Sequence, residues 1–282
     1  MGRIVIFLAI YEKEVNHDLF TKVSELEDKE SILPILYKDY VSHVEEISLI
    51  EEDYLWGNVT VYVNDLTSMQ EFLLLHSPSF FWGGRSISAY MKAKDPSTIA
   101  KFGDVLKRRK DVRMHLQTSV GVEPYIQQFM KWLNKAYTVR YHRADAHTFR
   151  PSFQNKERAV LLTPENVKEY VPSASARFIK RLETAQVYGY VNEEGRMVAT
   201  SGIGFLTRKS FSISYTETEP EYRGRGIAKW LTSLASEPLI RKGLIGVYAA
   251  DITNRPSIGV AEGLGFLRYK EMICFYNPQL AS

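Results

Sequence analysis

The chain has 282 residues, 45% of them hydrophobic and 24% charged, with a net charge of +3. That length suits two domains of ordinary size, each able to bury a core, and the composition excludes a disordered chain. The charge is too small to argue for nucleic acid, and a single cysteine, Cys274, excludes a disulfide framework and any multi-cysteine metal site.

The first residues, GRIVIFLAIY (2–11), are apolar and then turn charged, so they read as a buried strand and not as a signal peptide. No run approaches the roughly 20 apolar residues of a membrane span. NVTVYVND (58–65) alternates as a strand, and TSMQEFLLLH (67–76) reads as a helix with Thr67 or Ser68 near its N-cap. SPSFFWGGRS (77–86) is loop-like; its aromatic cluster reads as a core edge or as the lining of a pocket. A helix at 97–110, a strand at 112–120, a helix at 123–135 and a strand at 137–143 follow. LKRRKDVR (106–113) is the densest basic run; it reads as the solvated C-terminal end of a helix, where cations suit the dipole, with a nucleic-acid or cofactor-phosphate contact as the other reading. HRADAH (142–147) holds two histidines without further metal-ligand spacing, so no metal is expected. The polar stretch RPSFQNKE (150–157) with Pro151 divides an N-terminal α/β domain, 1–150, from a second domain, 151–282.

In the second domain RAVLLTP (158–164) reads as a strand, and helices follow at 164–171 and 175–183. Residues 187–206 form a hairpin turning at Glu194 and Gly195, and 210–220 is a strand. GIAKWLTSLASEPLIRKG (226–243) is helical with a break expected near Pro238. A strand at 244–253, a short helix at 255–265 and a last strand at 266–276 complete the order βααβββαβαβ. Cys274, on that last strand, reads as a small buried apolar side chain.

Between the strand at 210–220 and the helix after it lies EPEYRGRGIAKWL (219–231). Ile227, Trp230, Leu231 and Leu234 sit at core spacing, so the helix begins near Gly226. Its first turn presents unpaired backbone N–H groups and the positive end of the dipole. Arg223, Arg225 and Lys229 beside that end are unfavourable there unless an anion sits among them, and Gly224 and Gly226 let backbone approach a bulky anion closely. A pyrophosphate needs that arrangement; an ordinary turn with solvated arginines is the other reading.

PEYRGRGIA (220–228) resembles the acyl-CoA-binding loop of the GCN5-related N-acetyltransferase (GNAT) superfamily, Gln/Arg-x-x-Gly-x-Gly/Ala, at Arg223, Gly226 and Ala228. NRPSIGVAEGLGF (254–266) is similar to that family's second block at Asn254, Leu264, Gly265 and Phe266. The resemblance covers roughly 155–280. It implies a mixed sheet, flanked by helices, in which two central strands splay apart around the cofactor's pantetheine arm. It further implies acetyl-CoA as cofactor and transfer of the acetyl group to a small-molecule or peptide amine by direct attack. Backbone around Tyr215, Thr216, Glu217 and Thr218 would then meet the pantetheine and polarise the thioester carbonyl. The N–H groups from Arg225 through Gly226 and Ile227 to Ala228 would hold the pyrophosphate, with Asn254 and Ser257 beside the cofactor or, for Asn254, capping its helix.

The chain departs from the family at two positions. Ala261 stands where many members carry a tyrosine that protonates the leaving thiolate, and Ser210 to Ser212 stand where many carry a glutamate. All six histidines lie at or before His147, which puts none in the second domain. Glu217, Glu219, Tyr215, Asp251 and Tyr248 are the candidates for proton transfer. Glu217 leads as the base because it lies on the strand near the splay; alternation puts it on one face with Glu219, where like charges raise a carboxyl pKa, and two solvent-facing strand-end residues are the other reading. TEPEYRGRG (218–226) is close to the turn of the glycine N-acyltransferase-like (FR47-like) branch, whose N-terminal half is a degenerate acyltransferase-like domain. That half would shape the acceptor site or a homodimer surface. The expected protein is thus a cytoplasmic N-acyltransferase without nucleic-acid or membrane partners. The alternative is an idle CoA-binding module acting through protein contacts.

Overall fold

A computed structural model describes residues 24–51, 58–77, 86–109, 113–152 and 158–277. The strand expected at 2–11 and the aromatic cluster at 80–84 lie outside the described residues. The chain divides into two compact units: Met1–Ile35 with Asp53–Asn134 and Tyr276–Ser282, and Leu36–Glu52 with Lys135–Phe275.

Strand β1 (Ser24–Glu25) is followed by two short helices, α1 (Leu33–Leu36) and α2 (Val44–Glu51). The sheet of the first unit then adds β2 (Asn58–Val63), β3 (Phe72–Ser77), β4 (Ser86–Lys92) and β5 (Arg113–Ser119), in the order β1-β2-β3-β4-β5. Neighbours are antiparallel except β4 and β5, which run parallel and are joined by α3 (Pro96–Lys107). Helix α3 starts sharply because the Asp95 carboxylate accepts the Thr98 N–H at 3.2 Å and Pro96 occupies its first turn. It buries Ile99, Phe102, Val105 and Leu106 at helical spacing. The helix expected at 67–76 is instead a turn and then β3. Thr67 N–H is taken by Asp65, Met69 has a φ of 47°, and Phe72 to His76 are buried on both faces between β2 and β4. A continuous apolar run serves a central strand as well as a helix, and here pairing on two sides decides it. Helix α4 (Glu123–Phe129) is shorter than expected, because the chain enters β6 (Asn134–Ala144) five residues later.

The second unit continues with β7 (Ala159–Leu162), α5 (Val167–Tyr170), α6 (Ala176–Arg181), β8 (Val187–Val191), β9 (Met197–Leu206) and β10 (Ser210–Thr218). Helix α7 (Ile227–Arg241), β11 (Ile245–Asp251), α8 (Arg255–Gly263) and β12 (Leu267–Tyr276) complete it. Its strand order is β12-β6-β11-β10-β9-β8-β7. One face carries α7 and α8, whose Ala235, Leu239, Ile240, Ile258 and Ala261 pack with Phe211, Ile213, Tyr248 and Ala250 of the sheet. The other carries α5 and α6 over Leu162 and Val187. Residues 36–51 join that second face, since Ser210, which alternates with inward Phe211, donates to the Tyr40 carbonyl at 3.2 Å.

The units divide the chain elsewhere than at 150/151. β6 belongs with the second unit because it pairs with β11 over six positions, from Gly246 opposite Ala144 to Asp251 opposite Val139. The break expected at Pro238 is also absent: α7 runs through it, and burial of Ala235, Leu239 and Ile240 offsets the lost hydrogen bond.

Asp39 ties the segment 36–51 to β12. Its carboxylate accepts from Tyr269 Oη at 2.7 Å and from Lys270 Nζ at 3.1 Å. Burial alone would raise the Asp39 pKa, but these two donors and Ser42 outweigh it and hold it at about 2. A carboxyl depressed in the folded state stabilises above its unfolded pKa, and that stability is lost as pH falls toward 2. Asp39→Asn is therefore expected to cost roughly 1–2 kcal/mol at pH 7 and almost nothing near pH 2, read from urea unfolding at the two pH values.

Candidate functional site

The parallel strands β10 and β11 pair only at Ser210–Ile245, Phe211–Gly246 and Ser212–Val247. Both continue beyond, so a gap opens between them. Ile245 N–H bonds to Lys209 on the β10 side, while Ile252 N–H bonds to Thr138 on the β6 side. Strand alternation therefore aims the backbone groups of Ala249 into the gap, where β10 offers them no ladder partner. β10 carries an extra residue there: between Ser214 and Glu217 it advances three positions against two on β9. Tyr215, in this bulge, has a φ of 58°, and its carbonyl accepts from Thr200 Oγ1 at 2.7 Å.

Beside the gap, Gly224 and Gly226 have φ of 75° and 77°, the left-handed region that side-chain-bearing residues avoid. Gly226 is the N-cap of α7, and no side chain caps the helix. Its first-turn N–H groups, from Ile227 and Ala228, are thus left to an external acceptor. Ile227 itself turns inward with Trp230 and Leu231 and fixes the helix on the sheet. The arginines brace this loop. Arg223 Nε donates to the Thr218 carbonyl at 2.9 Å; Arg225 Nη2 donates to the Glu221 carbonyl at 2.9 Å and stacks 5.0 Å from the Tyr222 ring centre. Their presence at a positive helix end thus has a structural cause besides an anion. Lys229 lies along Gly263, at the last turn of α8, where a cation meets the negative end of that helix.

The other expected site residues divide between the gap and its surroundings. Thr216 Oγ1 is 2.9 Å from Ser201 Oγ, on the α7 face. The Tyr215 ring packs on the opposite face, 5.4 Å from Phe178 of α6. Glu217 is exposed on β10 past the bulge. Glu219, two residues on and beyond the strand, is held by Arg196 at 2.5 and 2.6 Å. Thr218 Oγ1 is buried without a hydrogen-bond partner among the described residues. Asn254 caps α8, accepting the Ser257 N–H at 3.2 Å, and Ser257 Oγ is 3.0 Å from the Tyr248 hydroxyl. Asp251 accepts from Thr253 N–H and Oγ1, both at 2.7 Å. Ala261 is fully buried in the core.

Placing every histidine outside this unit is wrong. β6 carries His142 into it, opposite Tyr248 of β11, with Nδ1 3.3 Å from the Tyr248 carbonyl. Burial lowers its pKa and keeps the ring neutral. His43 enters with the segment 36–51, buried and 3.1 Å from Glu46. Neither position was legible, because strand partners distant in sequence are set by tertiary pairing. Cys274 is buried, and burial pushes its thiol up to about 12.

The first unit repeats the parallel strand–helix–strand element without its gap. β4 and β5 stay paired from Ser86–Arg113 to Met91–Thr118, and Asp95 and Pro96 fill the helix N-terminus that glycines leave open in α7. In the basic run 106–113, Arg109 donates to Tyr62 Oη at 3.0 Å and to the Val105 carbonyl, so it is engaged in the fold.

The sequence profile of the Acetyltransferase (GNAT) family matches residues 126–266. Its start ahead of 134 takes in β6, in keeping with the place of that strand in the second unit. A crystal structure of a Drosophila protein is similar with a TM-score of 0.70 at 11% identity, covering 91% of this chain and 98% of that one. A GCN5-related N-acetyltransferase-like protein from Streptococcus suis gives 0.60 at 15%, covering 87% and 97%. A tandem GNAT protein from the clavulanic acid biosynthesis pathway gives 0.60 at 14%, covering 90% and 98%. No curated protein matches the chain. At these identities the solved structures speak for the fold, a mixed sheet with helices in a two-domain layout, while the profile spans half of the sequence. The chain belongs to the acetyltransferase (GNAT) family.

Proposed function

We propose that the chain transfers an acetyl group from acetyl-CoA to a primary amine. The observation that carries this reading is the parting of β10 from β11 after Ser212 and Val247, directly beside a helix start left uncapped at Gly226. The α7 N–H groups and the two glycines fit a pyrophosphate, with Arg223 and Arg225 close by for its charge. The gap fits an extended amide-bearing arm, for which Ala249 and the bulged β10 offer backbone partners. When bound, acetyl-CoA supplies an activated acyl group. Backbone N–H groups at the bulge polarise its carbonyl, and Glu217, exposed at the end of β10, takes a proton from the attacking amine.

Calorimetry with acetyl-CoA and with free CoA tests this reading. We expect micromolar binding of both and one site per chain, because the closed β4–β5 pair and the Asp95 cap leave the first unit no equivalent seat. Two sites per chain would contradict that account of the first unit. Absence of binding would remove the acyltransfer reading.

A further inference from the structure

Tyr248 is the first residue of β11 past its last pairing with β10. Its ring is buried, edge-on to Phe266 at 6.0 Å. Its hydroxyl is 3.0 Å from Ser257 Oγ of α8, and the Thr216 hydroxyl of β10 is close enough to help lower its pKa. Thr216 Oγ1 continues to Ser201 Oγ at 2.9 Å, and Ser201 Oγ to Thr232 Oγ1 of α7 at 2.8 Å. Five side-chain hydroxyls thus converge from β9, β10, β11, α7 and α8 at the opening of the gap. Burying so many polar groups costs stability unless they satisfy one another and hold a chosen geometry. Four are aliphatic alcohols, able to orient a neighbour but poor proton donors; the phenol is the acid among them. Burial raises its pKa, and Ser257 and Thr216 partly offset that, so it keeps its proton at neutral pH. The titratable neighbour on the same sheet face is His142, held neutral by burial.

We infer that Tyr248 is the proton donor to the departing thiolate, with Ser257 and Thr216 as positioning residues that aim its hydroxyl. This rests on the acyltransfer reading of the same gap. The amine nitrogen forms its bond to the thioester carbonyl carbon, and the C–S bond then breaks with its electron pair on sulfur. Tyr248 gives its hydroxyl proton to that sulfur. Glu217 takes the proton shed by the nitrogen and passes it to solvent, from which the phenol is reprotonated, leaving an amide and a free thiol. Position 261, where an alanine is sealed in the core, has no part in it. Ser257 and Thr216, expected as cofactor contacts, act here through Tyr248.

The test offers acetyl-CoA with hydroxylamine as a small amine acceptor and follows thiol release with a disulfide reagent, to which buried Cys274 is not exposed. Acetyl-CoA affinity is measured in parallel. Tyr248→Phe is expected to bind acetyl-CoA within about twofold of wild type while thiol release falls about 100-fold. Ser257→Ala is expected to lower kcat about fivefold at unchanged KM for acetyl-CoA. Tyr248→Phe turning over at the wild-type rate overturns the inference. So does Ser257→Ala raising KM at unchanged kcat, since that marks a cofactor contact. If Tyr248→Phe fails to fold, Ser257→Ala and Thr216→Val decide by the same split between kcat and KM. A wild-type protein that binds acetyl-CoA yet releases no thiol overturns the transfer reading itself, and the inference with it.

Discussion

Gly226→Glu is expected to weaken acetyl-CoA binding by at least about 100-fold, with the fold retained. Two effects combine. Gly226 has a φ of 77°, and a side chain there costs roughly 1–2 kcal/mol of backbone strain. More important, the new carboxylate would sit at the α7 N-terminus, which no side chain now caps. It would take the N–H groups and the positive dipole end that the pyrophosphate needs, and it would repel the phosphates. The capping carboxylate should return part of the strain energy, so the melting temperature moves little while affinity collapses. Gly224→Ala is the milder comparison, since its φ of 75° brings strain but a Cβ there meets nothing within 4 Å. Calorimetry on the three proteins checks the ordering. Undiminished binding by Gly226→Glu would remove the pyrophosphate from this loop.

Gly265→Ala acts on folding and not on binding. Gly265 has a φ of 79°, and a Cβ at that position would overlap the Thr148 carbonyl. The neighbouring backbone cannot yield freely. Arg150 N–H bonds to the Leu264 carbonyl at 2.9 Å, Asp145 holds the Thr148 N–H at 3.0 Å, and Leu264 and Phe266 are buried on either side. Strain and overpacking together are expected to cost about 3 kcal/mol or more, read as a lower urea midpoint at unchanged slope. A midpoint within experimental error of wild type would show that the 145–150 turn moves aside. The Leu-Gly-Phe block thus has a packing reason: glycine is the one residue that lets the α8 exit pass against the turn after β6.

Much of the second unit was legible in the sequence. The β10 pattern, the glycine turn and the Ile227, Trp230 and Leu231 spacing place a strand, a loop and a helix, because all three signals are local. Asn254 as a cap and Cys274 as a buried apolar side chain were readable in the same way. The helix expected over 67–76 failed because FLLLH carries no period of its own, and pairing on both sides turned it into a strand. Glu217 and Glu219 were expected to face one another by alternation. The register past the bulge keeps that alternation, but Arg196 binds the Glu219 carboxylate, and that bond leaves no mark in the sequence.

By itself, then, the sequence determined the uncapped glycine start of α7, the order of elements after 158 and the family they resemble, since each depends on neighbours within about a dozen residues. The tertiary structure alone decided that β6 and the segment 36–51 belong to the second unit, and the place where β10 and β11 part, after three pairs. It also brought Tyr248, Ser257, Thr216, Ser201 and Thr232 together, from five elements spread along the chain. Strand pairing and hydroxyl contacts across a core are chosen by which surfaces exclude water together, and that choice is made between segments far apart in the sequence.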